Sequence, residues 1–300
     1  MSTTTAPIEA PVAVPTEKAE SMSSRIVRFL TRTPVYIVLA LIGLLWLVPT
    51  LGLFVTSLLQ PAEIGTTGWW EVITSPSLAT LDNYREILDN EAITSSLWTT
   101  LWISLGATFL PIAVASLAAY AFAWLEFPGR DWLFLVVVAL LVVPIQMALI
   151  PIFSLYNDLG LFDTIPGLVL FHTAFGLPFA IFLLRNFFIG IPRDLLEAAR
   201  IDGASEFRIF FRVILPLGLP AIASLAIFQF LWVWNDLLVA LTFARDTQPI
   251  TVAIFSQMRQ FSANIELIAP AAFLSLAIPL VVFFAFQRYF VQGLLAGSVK

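Results

Sequence analysis

The chain has 300 residues, 59% of them hydrophobic and only 12% charged, with a mean hydropathy of +0.93. A soluble domain carries about 25% charged residues, so this composition excludes an ordinary water-soluble fold. The lack of cysteine excludes disulfides and thiolate metal sites, and the net charge of −5 matters less than where the charges fall.

Residues 1–24 are rich in Thr, Pro, Ala and Glu and have no apolar core. They read as a disordered cytoplasmic tail, not as a signal peptide, which needs an apolar h-region. The remainder, residues 25–300, reads as one six-span domain. Each crossing of a bilayer takes about 20 apolar residues. Runs with almost no charge place spans at about 35–59, 96–124, 132–156, 165–188, 219–241 and 267–286. Trp98, Trp124, Trp132 and Trp232 fall near span ends, where an indole keeps its ring in lipid and its N–H wet. Pro144, Pro151, Gly176 and Pro178 interrupt spans, so those segments are expected to face neighbouring helices or a pathway that satisfies the freed carbonyls.

Lys and Arg set the orientation. Lys18, Arg25, Arg28 and Arg32 precede the first span, and Arg130 sits between the second and third. Arg185, Arg193, Arg200, Arg208 and Arg212 flank or fill a charged island after the fourth, and Arg288 and Lys300 follow the sixth. Only Arg85, Arg245 and Arg259 fall on the other side. The positive-inside rule then puts both termini and the island in the cytoplasm. The outer loop over 60–95 is acidic, and no strong internal repeat argues for a self-sufficient secondary transporter built from paired halves.

The island over 190–218 is the most informative segment. Pro192 ends one helix and suits the first turn of the next. Asp194 and Glu197 lie early in that short helix, favourable against its positive end. Leu195, Ala198 and Ala199 share a face, with alanines that let another surface approach the backbone. Asp202-Gly203 signals a turn. In a second helix Phe207, Phe210, Phe211 and Ile214 form an apolar face and Arg208 and Arg212 a basic one, while Pro216 and Pro220 bracket the return to the membrane. On pattern alone two readings stand: an amphipathic helix lying on lipid, or a surface that grips a protein partner.

The run Glu197-Ala198-Ala199, Asp202-Gly203-Ala204 and Leu215-Pro216 resembles the EAA loop of ABC-importer permeases. Thr80-Leu81-Asp82-Asn83-Tyr84, Trp234-Asn235-Asp236 and Gln287-Arg288-Tyr289-Phe290, with the closing Gly297-Ser298-Val299-Lys300, are similar to elements of the maltose-type carbohydrate permeases, and the last third is most similar to α-glucoside permeases. The resemblance covers about residues 30–300. It implies an all-α membrane protein with six transmembrane helices, the type I ABC importer permease fold, and a cytoplasmic coupling helix. It implies as partners a cytoplasmic ABC ATPase pair, a second and distinct sugar permease, an extracytoplasmic solute-binding protein, the sugar and the lipid bilayer, with no nucleic acid. ATP and Mg are expected on the ATPase and no cofactor on this chain, whose sequence has no Walker-type Gly-rich Lys loop. The chain is therefore expected to be a non-catalytic transducer. Glu197, Ala198, Ala199, Asp202, Gly203, Ala204, Leu215 and Pro216 would form the ATPase-coupling element, with Glu197 accepting bonds from the ATPase cleft.

Polar groups inside spans are costly and often functional. Gln146, Asn157, His172, Asn186, Gln229, Trp234, Asn235 and Asp236 are the candidates for a substrate path. Each has a plainer reading. His172 suits a helix–helix hydrogen bond as well as a sugar contact, and by itself makes no metal site. Asp236 suits the membrane boundary. Trp234 with Asn235 offers a ring and an amide to a sugar, or simple packing. The polar segment 249–264, with Gln257, Arg259, Gln260 and Asn264, is an external loop open to a binding protein or to solvent. The expected function is permease subunit of an ATP-driven importer of a sugar, an α-glucoside di- or oligosaccharide. The alternatives are an importer of a polyol or other solute and, from another class, a secondary transporter independent of an ATPase. A membrane enzyme is disfavoured by the single histidine and the scarcity of intramembrane acids.

Overall fold

The computed structural model describes residues 22–259 and 265–296, with side chains over 33–259 and 266–288. The chain divides into two units, residues 1–51 and 52–300. The first holds most of α1 (Met22–Ser57). Its side chains over 34–49 are exposed and apolar all round, Trp46 at 78% and Leu45 at 70%. A helix with no polar face has lipid, not water, as its solvent. The expected tail lies outside the described residues up to residue 21.

The second unit begins with the last turns of α1 and continues in a loop that carries two short 3-10 turns, Trp69–Ile73 and Pro76–Leu78. Helices α2 (Asp82–Asp89) and α3 (Glu91–Trp124) follow. The Asn90 side chain caps α3 by accepting the N–H groups of Ala92 and Ile93 at 3.1 and 3.2 Å. At 1.5 Å per residue α3 is about 50 Å long, well beyond a hydrocarbon core of about 30 Å. Much of its buried stripe is small: Ser96, Thr100, Ser104, Ala107, Ala115, Ser116 and Ala119. Small residues let neighbouring backbones approach closely, which is how helices associate where burial from water supplies no drive. Helices α4 (Arg130–Leu140), α5 (Ile145–Leu159), α6 (Ile165–Ile189) and α7 (Arg193–Ile201) come next. A long helix over Glu206–Trp234 then joins α8 (Glu206–Ile209), a π-turn at Phe210–Ile214 and α9 (Leu215–Trp234). Helices α10 (Leu238–Phe243), α11 (Ile250–Arg259) and α12 (Ile265–Ala296) complete the described chain. No β-strand occurs among the described residues. The fold is all-α, as expected.

Among the described residues, five helices are long and apolar enough to cross a membrane: Thr33–Ser57, Glu91–Trp124, Ile165–Ile189, Glu206–Trp234 and Glu266–Arg288. The expected continuous third span over 132–156 is instead the pair α4 and α5, bent by 98°. Pro144 heads α5 with φ −66° and ψ 127°. A proline there has no N–H to extend α4 and pushes Val143 away from helical geometry. If the bent pair counts as one span, the total is six.

The fifth span also departs from expectation. Instead of beginning near residue 219, its helix starts at Glu206 and runs through Pro216 and Pro220 without breaking. The wide π-turn lies just before Pro216 and accommodates the i−4 hydrogen bond that a proline cannot make. The helix ends at Trp234, short of residue 241, because Asp236 turns its carboxylate onto the next helix.

One apolar cluster joins this end of the bundle. It combines Ala115, Ala119 and Tyr120 of α3, Leu184 and Phe188 of α6, Leu196 of α7, and Ile209, Phe210, Ile214 and Leu225 of the long helix. The connector between α6 and the long helix is therefore packed onto the bundle. A second cluster at the other end gathers Ile103, Tyr156, Leu168, Phe171, Val239 and Phe243.

Candidate functional site

The residues singled out by sequence fall in two places. One is the connector over 190–218; the other is a polar junction within the bundle.

In the connector, Pro192 precedes α7 and Leu196 points inward, fully buried. Asp194, Leu195, Glu197 and Ala198 are exposed, and Ala199 is half-buried. Glu197 accepts a hydrogen bond from Arg193 one turn back at 2.9 Å, an exposed ion pair worth at most about 1 kcal/mol. It is therefore cheaply diverted to another partner. The end of α7 is a Schellman cap: Gly203 N–H donates to Arg200 O and Ala204 N–H to Ala199 O, each at 3.0 Å. Gly203 has φ +76°, and nothing lies within 4 Å of where its Cβ would stand. The glycine is required by backbone conformation, not by crowding. Asp202 is exposed, Ala204 and Leu215 are half-buried, and Pro216 is exposed.

The apolar face expected for the second helix is split. Ile209, Phe210 and Ile214 are buried, whereas Phe207 and Phe211 are 72% and 55% exposed. The π-turn rotates the face, so simple i, i+3, i+4 spacing groups the wrong phenylalanines. Phe207, Phe211 and Ile201, the last at 86% exposure, leave uncovered apolar surface beside α7. Beneath them Glu206 accepts a hydrogen bond from Tyr120 Oη and one from Arg200 Nε at 3.0 Å. The hydrogen bond to the Glu206 carboxylate holds the Arg200 guanidinium even more firmly protonated than usual.

The polar junction joins α3, α6 and α9. Gln229 Nε2 donates to Ala107 O at 3.0 Å and His172 O at 3.4 Å. A Cβ on Gly176 would stand 2.5 Å from that nitrogen, so this glycine is required by close approach. His172 is 2% exposed, its Nε2 is 3.7 Å from Asp236 Oδ2, and its ring meets Trp232 edge-on at 5.1 Å. The His172 Nδ1 and the hydroxyls of Ser104 and Thr108 are buried without hydrogen-bond partners. Buried polar atoms of this kind are uncommon. Asp236 caps α10 through the N–H groups of Val239 at 3.2 Å and Ala240 at 2.9 Å.

The structure thus brings His172, Gln229 and Asp236 together. The Trp234 ring is 1% exposed, stacked on Phe230 and bonded to Ser275 O at 2.9 Å, with no face left for a ligand. Asn235 is exposed and bonds back to Leu231 O. Gln146, Asn157 and Asn186 are exposed. Gln257 and Arg259 lie on α11, while Gln260 and Asn264 are outside the described residues. Sequence reasoning missed Ser104, Thr108 and the Tyr120–Glu206 contact. Ser104 and Thr108 stand four apart beside Gly106 and Ala107, a small-polar pattern typical of a helix interface. Tyr120 and Glu206 are 86 residues apart and carry no local signal.

Residues 112–295 match the family described as binding-protein-dependent transport system inner membrane component. The chain is 47% identical over 284 residues to the osmoprotective compounds uptake permease protein GgtD of Synechocystis sp., covering 93% of this chain and 95% of that one. It is 51% identical over 235 residues to the alpha-glucoside transport system permease protein AglG of Rhizobium meliloti, covering 76% of this chain and 62% of that protein. Among solved structures it is similar to a bacterial ABC transporter involved in the import of the acidic polysaccharide alginate. That match has a TM-score of 0.70 and 22% identity, and covers 91% of this chain and 99% of the other.

Proposed function

The chain belongs to the family of binding-protein-dependent transport system inner membrane components, and from that premise we propose that it is the permease subunit of an ATP-driven importer whose cargo is an α-glucoside di- or oligosaccharide. The observation that carries the ATP-driven part is the connector: a Schellman-capped helix, packed inward through Leu196, that presents Glu197, Ala198 and Asp202 outward beside uncovered Phe207 and Phe211. Such a surface fits a cleft on a cytoplasmic ATPase. The cargo rests on the likeness to AglG.

In this reading both termini and the connector lie in the cytoplasm, where the arginines concentrate. ATP and Mg bind the partner ATPase pair. Closure of that pair draws this connector toward its counterpart on a second, distinct permease, and the bundle switches between inward- and outward-facing packings. An external solute-binding protein delivers the sugar to the opposite face. Residues 190–218 act as the coupling element and 25–300 as the permease domain. His172, Gln229 and Asp236, which cluster within the bundle, are the residues we assign to the path.

The test is affinity purification of the tagged chain from its native membrane, followed by reconstitution in vesicles. An ATPase and a second permease are expected to accompany it, with ATP-dependent uptake of labelled α-disaccharides when the binding protein is added. Uptake by the chain alone, abolished by collapsing ion gradients, would instead establish a secondary transporter. The likeness to GgtD favours a second reading, in which the cargo is a small osmoprotective solute. Competition between disaccharides and polyol-type solutes for the binding protein decides between them.

A further inference from the structure

We infer that Glu206 is a positioning residue that carries movement of the connector into α3 through Tyr120. This rests on the proposed reading that the connector is driven by an ATPase. The geometry is specific. Glu206 opens the long helix, and its two carboxylate oxygens face different elements. Oε1 accepts from Arg200 Nε at 3.0 Å, Oε2 accepts from Tyr120 Oη, and Arg200 Nη2 also reaches Oε2 at 3.4 Å. Arg200 belongs to α7 and Tyr120 to α3, so one carboxylate ties the connector helix, the long helix and α3 together.

The surroundings make this tie consequential. Between Arg200 and Glu206 the backbone passes through Gly203 at φ +76° in open space. A glycine turn is a natural hinge, and the Arg200–Glu206 pair bridges it, so α7 and α8 are held as one piece. Tyr120 is 4% exposed and packs its ring against Phe210 at 5.5 Å, which fixes the direction of its hydroxyl. Farther along α3, Ala107 receives Gln229 and Ser104 and Thr108 carry unpartnered hydroxyls. A displacement delivered at Tyr120 therefore reaches the polar junction along one helix that runs through Pro111 without a break, and long-range coupling is carried by packed, continuous elements of this kind.

The chain has no cysteine, which allows site-specific spin labels. Labels at Asp194→Cys on α7 and Leu117→Cys on α3, both exposed positions, report the separation of the two elements in the assembled transporter with and without a non-hydrolysable ATP analogue. In the otherwise unchanged complex the separation is expected to stay narrow and constant on nucleotide binding. Tyr120→Phe removes only the hydroxyl and Glu206→Gln the charge. In both, the distance distribution is expected to broaden and shift with nucleotide, and ATP hydrolysis to continue with loss of solute uptake. Leu196→Ala, a packing lesion in the same cluster, serves as control: thermal stability is expected to fall while the separation stays constant. Unchanged distances and full uptake in Tyr120→Phe and Glu206→Gln overturn the inference. So does Leu196→Ala giving the same broadening, since the role would then be packing alone. Failure of any ATPase to accompany the chain overturns instead the reading on which the inference rests.

Discussion

Thr247 is bound twice to Asp163: its N–H donates to Asp163 Oδ1 at 2.9 Å and its hydroxyl to the Asp163 carbonyl at 2.8 Å. The same carboxylate accepts the N–H groups of Arg245 at 2.8 Å and Asp246 at 3.0 Å. Asp163 itself has φ +57°, a left-handed conformation that Asp tolerates better than most residues. One side chain thus knots the turn before α6 to the loop before α11.

Burial works to raise the Asp163 carboxyl pKa, but the backbone N–H groups of Thr247, Asp246 and Arg245 outweigh it and hold the group below the usual carboxylate range. A depressed folded pKa contributes stability above the unfolded value of about 3.9, and that contribution is lost as pH falls through the folded value. Asp163→Asn is expected to cost about 1–2 kcal/mol at neutral pH, allowing for partial exposure. The loss should shrink on acidification below about pH 4. Thermal unfolding of the purified complex across pH checks both.

Gly203→Asp tests the turn of the connector. Space is open there, so the cost is the left-handed backbone, about 1 kcal/mol. Membrane levels are expected to stay near those of the unaltered chain, with ATP hydrolysis uncoupled from uptake. Normal uptake by this variant would remove the connector from the coupling mechanism.

Gly176→Ala drives a methyl into Gln229 and is expected to destabilise the α6–α9 contact by about 1–3 kcal/mol, the usual cost of overpacking. Gln229→Ala vacates the space but gives up the bond to Ala107 O. The double variant should be more stable than the sum of the single losses predicts. Strict additivity in this thermodynamic cycle would mean that the two residues do not press on each other.

Asp236 has a structural duty, because it caps α10. Asp236→Asn keeps one acceptor oxygen but turns its NH2 toward the second N–H, so it should lose about 0.5–1 kcal/mol, whereas Asp236→Ala should lose about 1–2 kcal/mol. A change in KM for the transported solute in Asp236→Asn that Asp236→Ala does not exceed in step with its larger stability loss would assign the charge to the path as well.

How far the sequence reaches depends on whether a property is local. A span of twenty apolar residues must be helical, because lipid offers no partner to an open backbone. The capped turn at Gly203 was legible because one dipeptide determines it. The π-turn at Phe210–Ile214 was not, and it moved Phe207 and Phe211 to the surface. Trp234 with Asn235 reads in sequence either as a ring and an amide for a sugar or as simple packing, and the ring is packed on Phe230 and bonded to Ser275, partners that only the fold brings near.

By itself the sequence determined the all-α membrane class, the positions where the chain is apolar enough to enter lipid, and the connector's spacing of Glu-Ala-Ala and Asp-Gly. These follow from solvent and backbone chemistry acting over a few turns. The tertiary structure decided the rest: the 98° bend after α4, the unbroken helix through Pro216 and Pro220, and the meeting of Gln229 with Ala107 and Gly176. It also decided that Tyr120, Glu206 and Arg200 share one carboxylate. Contacts between residues tens of positions apart depend on which helices pack together, and packing is a property of the assembled bundle.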